Sequence, residues 1–207
     1  MVDVKTSGRR LWLVRHGETE GQSSIRYHGS NDVRLSNVGR EQIRGLLPLL
    51  MGVDFVRVIQ SPLQRATESA TILSGGLSLP QSIFEVDQRL REICFGDAEG
   101  MTREEIAAAF PDFWPKYEAG EVDAFPGGEP RTAFAARVAS ATSDLARGDW
   151  DGDVLVVAHR GTVKHMIRAA LGVDAASPAD FAVDLGSLSV LRQAGGSWQL
   201  DLLGMRP

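Results

Sequence analysis

The stretch Leu11-Trp12-Leu13-Val14-Arg15-His16-Gly17-Glu18-Thr19 decides how this chain is read. Four apolar residues run directly into Arg-His-Gly, the pattern of a buried parallel strand ending in a polar loop. In open α/β sheets, ligands collect beyond the carboxyl ends of the strands. The motif therefore stands where a reactive group is useful. Arginine grips the oxygens of an anion bidentately, and a neutral imidazole nitrogen can attack phosphorus.

Three further segments repeat or complement this pattern. Val154-Leu155-Val156-Val157-Ala158 is a second buried-strand run, and it ends in His159-Arg160-Gly161. Two such strands can deliver two imidazoles to one crevice. Phe55-Val56-Arg57-Val58-Ile59 is a third strand, followed by Ser61-Pro62-Leu63-Gln64-Arg65-Ala66. Pro62 reads as a helix start and sets Arg65 one turn into that helix. Leu90-Arg91-Glu92-Ile93-Cys94-Phe95-Gly96 places a carboxylate in a mostly apolar setting, which suits a group that holds and releases a proton.

Working outward, the pattern predicts strand 10–15, loop 16–35, helix 36–51, strand 55–60, helix 62–74, strand 83–87 and a loop carrying Glu92. A helix near 102–110 opens on Thr102-Arg103-Glu104-Glu105, a capping arrangement. An irregular stretch to 129 precedes helix 131–147, strand 153–158 and helix 161–171. Segments 180–192 and 197–203 alternate around Gly195-Gly196 as a terminal hairpin. The alternation of strands and helices predicts an α/β three-layer sandwich, a mostly parallel central sheet with helices on both faces. The 207 residues suit a single domain, 1–207, with a lid-like insertion at about 101–129 over the C-terminal edge of the sheet.

With these motifs in place, the chain resembles the histidine phosphatase superfamily, in its phosphoglycerate-mutase-like branch. The matches are Arg15-His16-Gly17-Glu18-Thr19, Ser61…Arg65-Ala66, Leu90-Arg91-Glu92…Gly96…Glu99-Gly100, Pro126-Gly127-Gly128-Glu129 and Ala158-His159…Gly161, in the family's order. The resemblance implies a covalent phosphoryl transfer. His16 would be the nucleophile that becomes phosphohistidine, and Glu92 the acid and then the base. Arg15, Arg65 and His159 would hold the equatorial oxygens. Spreading charge over fixed cations and donors is what a loose phosphoryl transition state demands. The resemblance implies no metal and no cofactor.

The resemblance also assigns secondary positions. Gly17 and Thr19 would offer a backbone N–H and a hydroxyl to the phosphate, while Glu18 would buttress the loop. His28 and Gly29 lie in Arg26-Tyr27-His28-Gly29, where the family has a pocket loop; for His28 a pocket role and a surface role both stand open. His165 reads as structural. Gln22 replaces a common Asn, and Arg160 replaces a common Gly, where it either points away or adds a cation for a second phosphate or carboxylate. Pro130 replaces a common Ser or Thr after Gly-Gly-Glu.

The segment 110–126 gathers Phe110, Phe113, Trp114, Tyr117 and Phe125. It reads as a small satellite core under a loop and as a lid touching the non-phosphate part of a substrate, two readings that are compatible. Between Glu92 and Gly127 the basic residues are Arg103 and Lys116. The basic insertion that helps related mutases retain a bisphosphate is therefore missing. That favours a phosphatase acting on a small phosphomonoester metabolite, with α-ribazole 5′-phosphate the leading candidate. A cofactor-dependent phosphoglycerate mutase, a fructose-2,6-bisphosphatase-like enzyme and a non-catalytic phospho-ligand binder remain the alternatives.

Composition narrows the partners. The net charge of −5, with no long basic run, carries no nucleic-acid footprint. No apolar run approaches membrane-spanning length. Residues 1–10 do not read as a signal peptide, and the single Cys94 fits a reducing cytoplasm. The apolar terminal hairpin leaves a homodimer open.

Overall fold

A computed structural model describes residues 8–21, 25–148, 150–174 and 180–207. The apolar runs become the centre of a sheet. Strands β1 (Arg10–Arg15), β2 (Phe55–Gln60), β3 (Phe84–Val86), β4 (Asp153–Ala158), β5 (Leu188–Ala194) and β6 (Ser197–Met205) lie in the order β3-β2-β4-β1-β5-β6. Strands β1 to β4 pair in parallel, whereas β5 and β6 are antiparallel additions at one edge. In the β1–β4 pairing Arg15 stands opposite Ala158. His16 and His159 therefore leave neighbouring strands at the same level.

Side chains on β1 alternate between two cores, as a strand covered on both faces requires. Leu11 and Leu13 pack with Phe134, Val138, Val163 and Ile167, from α6 (Arg131–Arg147) and α7 (Arg160–Leu171). Trp12 and Val14 pack with Ile43, Leu50, Ala70 and Leu73, from α1 (Asn37–Gly45), α2 (Leu47–Leu50) and α3 (Gln64–Leu77). The result is the expected three-layer α/β architecture. No helix among the described residues is long and apolar enough to cross a membrane.

Local chemistry sets the helix ends. Ser36 caps α1 by accepting the Gly39 N–H. Thr102 and Glu105 form a reciprocal capping box on α4 (Arg103–Ala109). The single helix expected over 36–51 is instead α1 followed by α2. Pro48 has no N–H to continue the ladder, so the Leu46 N–H bonds back to Ile43 in a tighter turn. The helix expected over 62–74 starts later, at Gln64, because Leu63 is still extended.

Two other expectations are corrected. The stretch read as irregular to 129 contains α5 (Phe113–Glu118), with Pro115 near its start. The strand read from 180 begins only at Leu188. Residues 180–187 form a loop in which Gly186 adopts φ +61° and the Ser187 hydroxyl donates to the Asp184 carbonyl. This loop lies against the end of β1: Arg15 N–H donates to the Ser187 carbonyl, and Gly186 N–H to the His16 carbonyl.

Candidate active site

The histidine after β1 is buried, with 5% of its surface exposed. Its Nδ1 lies 2.6 Å from the Gly17 carbonyl oxygen. A carbonyl only accepts, so Nδ1 carries the hydrogen and Nε2 keeps a lone pair. Burial, then the charges of Arg65 and Arg15, hold the His16 imidazole well below its ordinary range of protonation. The ring is thus neutral, aimed, and surrounded by cations that attract an anion.

The rest of Gly17 serves packing. A Cβ there would lie 2.2 Å from the Gly39 carbonyl, and one on Gly39 would lie 2.0 Å from the Glu18 carbonyl. Two glycines let the loop and α1 touch backbone to backbone. Neither Gly17 nor Thr19 lines the cavity; Gly17 contributes its carbonyl to His16, and Thr19 bridges Leu35 across the loop. Glu18 accepts from the Ser36 hydroxyl at 2.8 Å, the buttressing role expected of it. Gln22 lies outside the described residues.

The second histidine is fully buried at the N-terminus of α7, its ring centroid 5.1 Å from that of His16. Arg65 Nε donates to His159 Nδ1 at 3.2 Å, so Nδ1 is an acceptor and the hydrogen sits on Nε2. Nε2 donates to the Ser61 hydroxyl at 2.7 Å. Burial, then Arg65, lower the proton affinity of this ring well below the ordinary range. Ser61 was read as part of a motif without a role; the structure makes it the fixed partner of His159.

Arg65 itself is 2% exposed. Its two Nη atoms donate to the carbonyls of Asn31 (2.7 Å) and Gly29 (2.6 Å), tying the 28–31 loop to α3. Gly29 adopts φ +49°, and a Cβ there would meet Glu99 Oε1 at 2.5 Å, so a larger residue would break the loop's seat. His28 lines the cavity and holds the Gly21 carbonyl at 3.1 Å.

Arg15 Nη1 donates to the Val183 carbonyl at 2.9 Å, in the loop before β5. Its Nε is buried with no hydrogen-bond partner among the described residues. Burial, partly offset by the charge of Glu92, lowers this guanidinium to about 10, so it stays charged at neutral pH.

Glu92 closes the far wall. Its Oε2 accepts the Gly161 N–H at 2.9 Å and its Oε1 the Ile93 N–H at 3.0 Å. The first of these is an otherwise orphaned donor at the start of α7, which His159 does not cap. Glu92 thus caps the helix that carries the second histidine. A Cβ on Gly161 would lie 2.4 Å from Glu92 Oε1, which explains the glycine. Arg137, absent from the sequence reading, reaches from α6 to the carbonyls of Arg89, Arg91 and Glu92 and pairs with Glu129 at 2.7 Å. Burial opposes ionisation of Glu129, but the Arg137 hydrogen bond outweighs it and lowers its proton affinity. The Gly-Gly-Glu motif was the signal for this latch.

A cavity of about 250 Å³ opens on part of this set; His159, fully buried behind it, is not among its lining residues. Arg15, His16, Arg65 and Glu92 line its inner end; Ile25, Tyr27 and Phe95 form an apolar wall; Arg26, Arg103 and Arg160 line it as well. The aromatics of 110–125 mostly face one another, with Phe113 and Phe125 4.6 Å apart in a satellite core. Tyr27 and Phe95, 5.1 Å apart, join that core to the cavity wall. The satellite-core reading therefore holds, and from 101–129 only Arg103 is among the cavity's lining residues. Among the described residues no three His, Cys, Asp or Glu side chains gather as a metal site. His165 is structural, as expected: it bonds the Gly161 carbonyl and packs edge-on to Phe134.

The model of the histidine phosphatase superfamily (branch 1) matches residues 11–206. The chain is 35% identical over 172 residues to glucosyl-3-phosphoglycerate phosphatase of Mycolicibacterium vanbaalenii, covering 80% of this chain and 75% of that one. It is 32% identical over 198 residues to adenosylcobalamin/alpha-ribazole phosphatase of Salmonella typhimurium, covering 95% and 96%. The crystal structure of the alpha-ribazole phosphatase from Shigella flexneri superposes with a TM-score of 0.84 at 29% identity, covering 95% and 96%.

Proposed function

Because the chain belongs to the histidine phosphatase superfamily (branch 1) and is a phosphoric monoester hydrolase, we propose that it cleaves a small phosphorylated metabolite in two displacements through His16. The observation that carries this reading is the tautomer of His16: Nδ1–H is spent on the Gly17 carbonyl, and the Nε2 lone pair is left beside Arg15 and Arg65.

In the first displacement Nε2 attacks phosphorus, and the P–O bond to the leaving group breaks. Glu92 donates a proton to that oxygen. The Gly17 carbonyl stabilises the positive ring of the phosphohistidine through Nδ1–H. In the second displacement Glu92 takes a proton from water, the oxygen attacks phosphorus, and the P–N bond breaks to restore neutral His16. Both half-reactions pass through the same loose, negatively charged arrangement, so one set of cations serves both.

Arg15 and Arg65 hold the equatorial oxygens, with the buried Nε of Arg15 ready for one of them. A phosphate oxygen arriving beside His159 replaces Nδ1 as acceptor of the Arg65 Nε–H. Its charge then favours protonation of His159, which becomes a second donor to the phosphate while Ser61 keeps Nε2 in place. The apolar wall of Ile25, Tyr27 and Phe95 receives the organic part of the substrate. Among small phosphomonoesters, the relatives named for α-ribazole and glucosyl-3-phosphoglycerate make those two compounds the first to try.

The test is phosphate release in the presence of EDTA from p-nitrophenyl phosphate, α-ribazole 5′-phosphate, glucosyl-3-phosphoglycerate, fructose 2,6-bisphosphate and 3-phosphoglycerate, with His16→Ala as the blank. Metal-independent release that vanishes in His16→Ala, with an acid-labile phosphoenzyme trapped in the wild type, is the expected result. Turnover retained by His16→Ala would refute the covalent route. Isomerisation of phosphoglycerate without net phosphate release would identify a mutase instead.

A further inference from the structure

The cavity carries more positive charge than one phosphoryl group uses. Among the described residues its lining holds five arginines against one carboxylate, Glu92. Four of the five are engaged. Arg65 and Arg15 belong to the inner end; Arg26 pairs with Glu105 at 2.8 Å; Arg103 pairs with Glu118 at 2.7 Å and stacks over Trp114. Arg160 differs: its guanidinium makes no hydrogen bond or ion pair with any described residue. The acid that feels its charge, Asp180, is already paired with Lys164.

The position is also a poor one for a cation with a merely structural role. Arg160 is the first residue of α7, where the helix dipole presents its positive end and disfavours basic side chains. It adds to the positive field on Arg15 as well. Yet its backbone is held tightly, between buried His159 and the Gly161 N–H that Glu92 accepts. A guanidinium with no hydrogen-bond or ion-pair partner among the described residues thus stands on the cavity wall beside the proposed proton donor.

We propose that Arg160 is a specificity residue that reads a second anionic group, a carboxylate or a second phosphate, on the non-transferred part of the substrate. The inference rests on the proposed phosphatase site and adds its substrate class: phosphomonoesters that carry another negative charge. The guanidinium fork binds either anion bidentately, and that contact offsets the dipole and the Arg15 repulsion at once.

The test is competitive inhibition of p-nitrophenyl phosphate hydrolysis by ω-carboxyalkylphosphonates of two to four carbons, each against its neutral amide. Direct calorimetric titration of the same compounds reports binding without turnover. The wild type should bind at least one carboxylate more tightly than its amide by on the order of tenfold to a hundredfold. Arg160→Gln should erase that advantage, read as the ratio of carboxylate to amide affinity in the same protein, and Arg160→Lys should restore part of it. Pyrophosphate against methylphosphonate, run on the same three proteins, separates a phosphate reader from a carboxylate reader. A wild type indifferent to the second charge at every length and in both series, or an advantage that survives Arg160→Gln, overturns the proposal. Failure of p-nitrophenyl phosphate hydrolysis or of phosphoenzyme formation would instead strike the assignment of His16, and the calorimetric ratios would still decide Arg160.

Discussion

Replacing Glu92 by Gln tests the acid and the architecture at once, because the structure gives this carboxylate two duties. Its oxygens accept the Gly161 and Ile93 N–H groups at 2.9 and 3.0 Å. Glutamine offers one oxygen and one NH2, so one of these donors must face another donor. An orphaned, partly buried N–H costs about 1–3 kcal/mol. Loss of the negative charge at the start of α7 costs about 0.3–1 kcal/mol more. The variant should therefore lose roughly 1–4 kcal/mol in urea unfolding at pH 7, while remaining folded enough to assay. Its chemistry should split by leaving group. For an alkyl phosphate, whose alkoxide needs a proton as it departs, kcat/KM should fall about a hundredfold to ten-thousandfold. For p-nitrophenyl phosphate, whose phenolate leaves unaided, kcat/KM should fall by much less. Equal losses for both substrates would show that Glu92 is not the proton donor of the first step. Stability unchanged within about 0.5 kcal/mol would show that it does not cap α7.

Other perturbations probe the parts separately. Ser61→Ala removes the acceptor of the His159 Nε2–H; phosphate affinity should fall while His16 still becomes phosphorylated, measured by inhibition constants and phosphoenzyme trapping, and unchanged affinity would deny Ser61 its positioning role. Burial lowers His16 and His159 below the ordinary 6.5, so below that pH the unfolded chain binds protons that the native protein does not. Stability should then fall as pH drops from 7 through the window beneath 6.5, with a slope approaching about 2.7 kcal/mol per pH unit for two histidines; flat urea midpoints between pH 7 and 5.5 would contradict the buried neutral pair. Gly17→Ala and Gly39→Ala push on the same backbone contact from opposite sides and should destabilise alike, by at least about 1–3 kcal/mol. A Gly17 variant of wild-type stability would refute the close approach.

Much of the site could be read from local sequence. Leu11-Trp12-Leu13-Val14 and Val154-Leu155-Val156-Val157 are buried on both faces, and such runs announce central parallel strands from composition alone. The residues that follow them then stand at carboxyl ends by necessity. Where reading failed, local pattern and tertiary use diverged. Phe181, Val183 and Leu185 alternate like a strand, but Gly186 at φ +61° turns the chain so that the Val183 carbonyl can receive Arg15. The aromatics of 110–125 fitted both a satellite core and a lid in sequence, and the structure shows the core, because large rings gain by burying one another. Arg137 looked like one of many helix arginines, because its three carbonyl partners lie in a loop more than forty residues earlier.

The sequence by itself determined the layers, the strand ends and the identity of the reactive groups, because hydrophobic periodicity is carried by neighbours along the chain. Only the tertiary structure decided the state of those groups. The hydrogen on His159 is assigned by Arg65 and Ser61, 94 and 98 residues away, and the orientation of Glu92 by Gly161, 69 residues away. Which cavity arginines are already satisfied, and that Arg160 has no partner among the described residues, follows from what folding brings close. Hydrogen-bond complementarity acts over about 3 Å of space regardless of separation along the chain, so it becomes legible only once the layers have closed around the site.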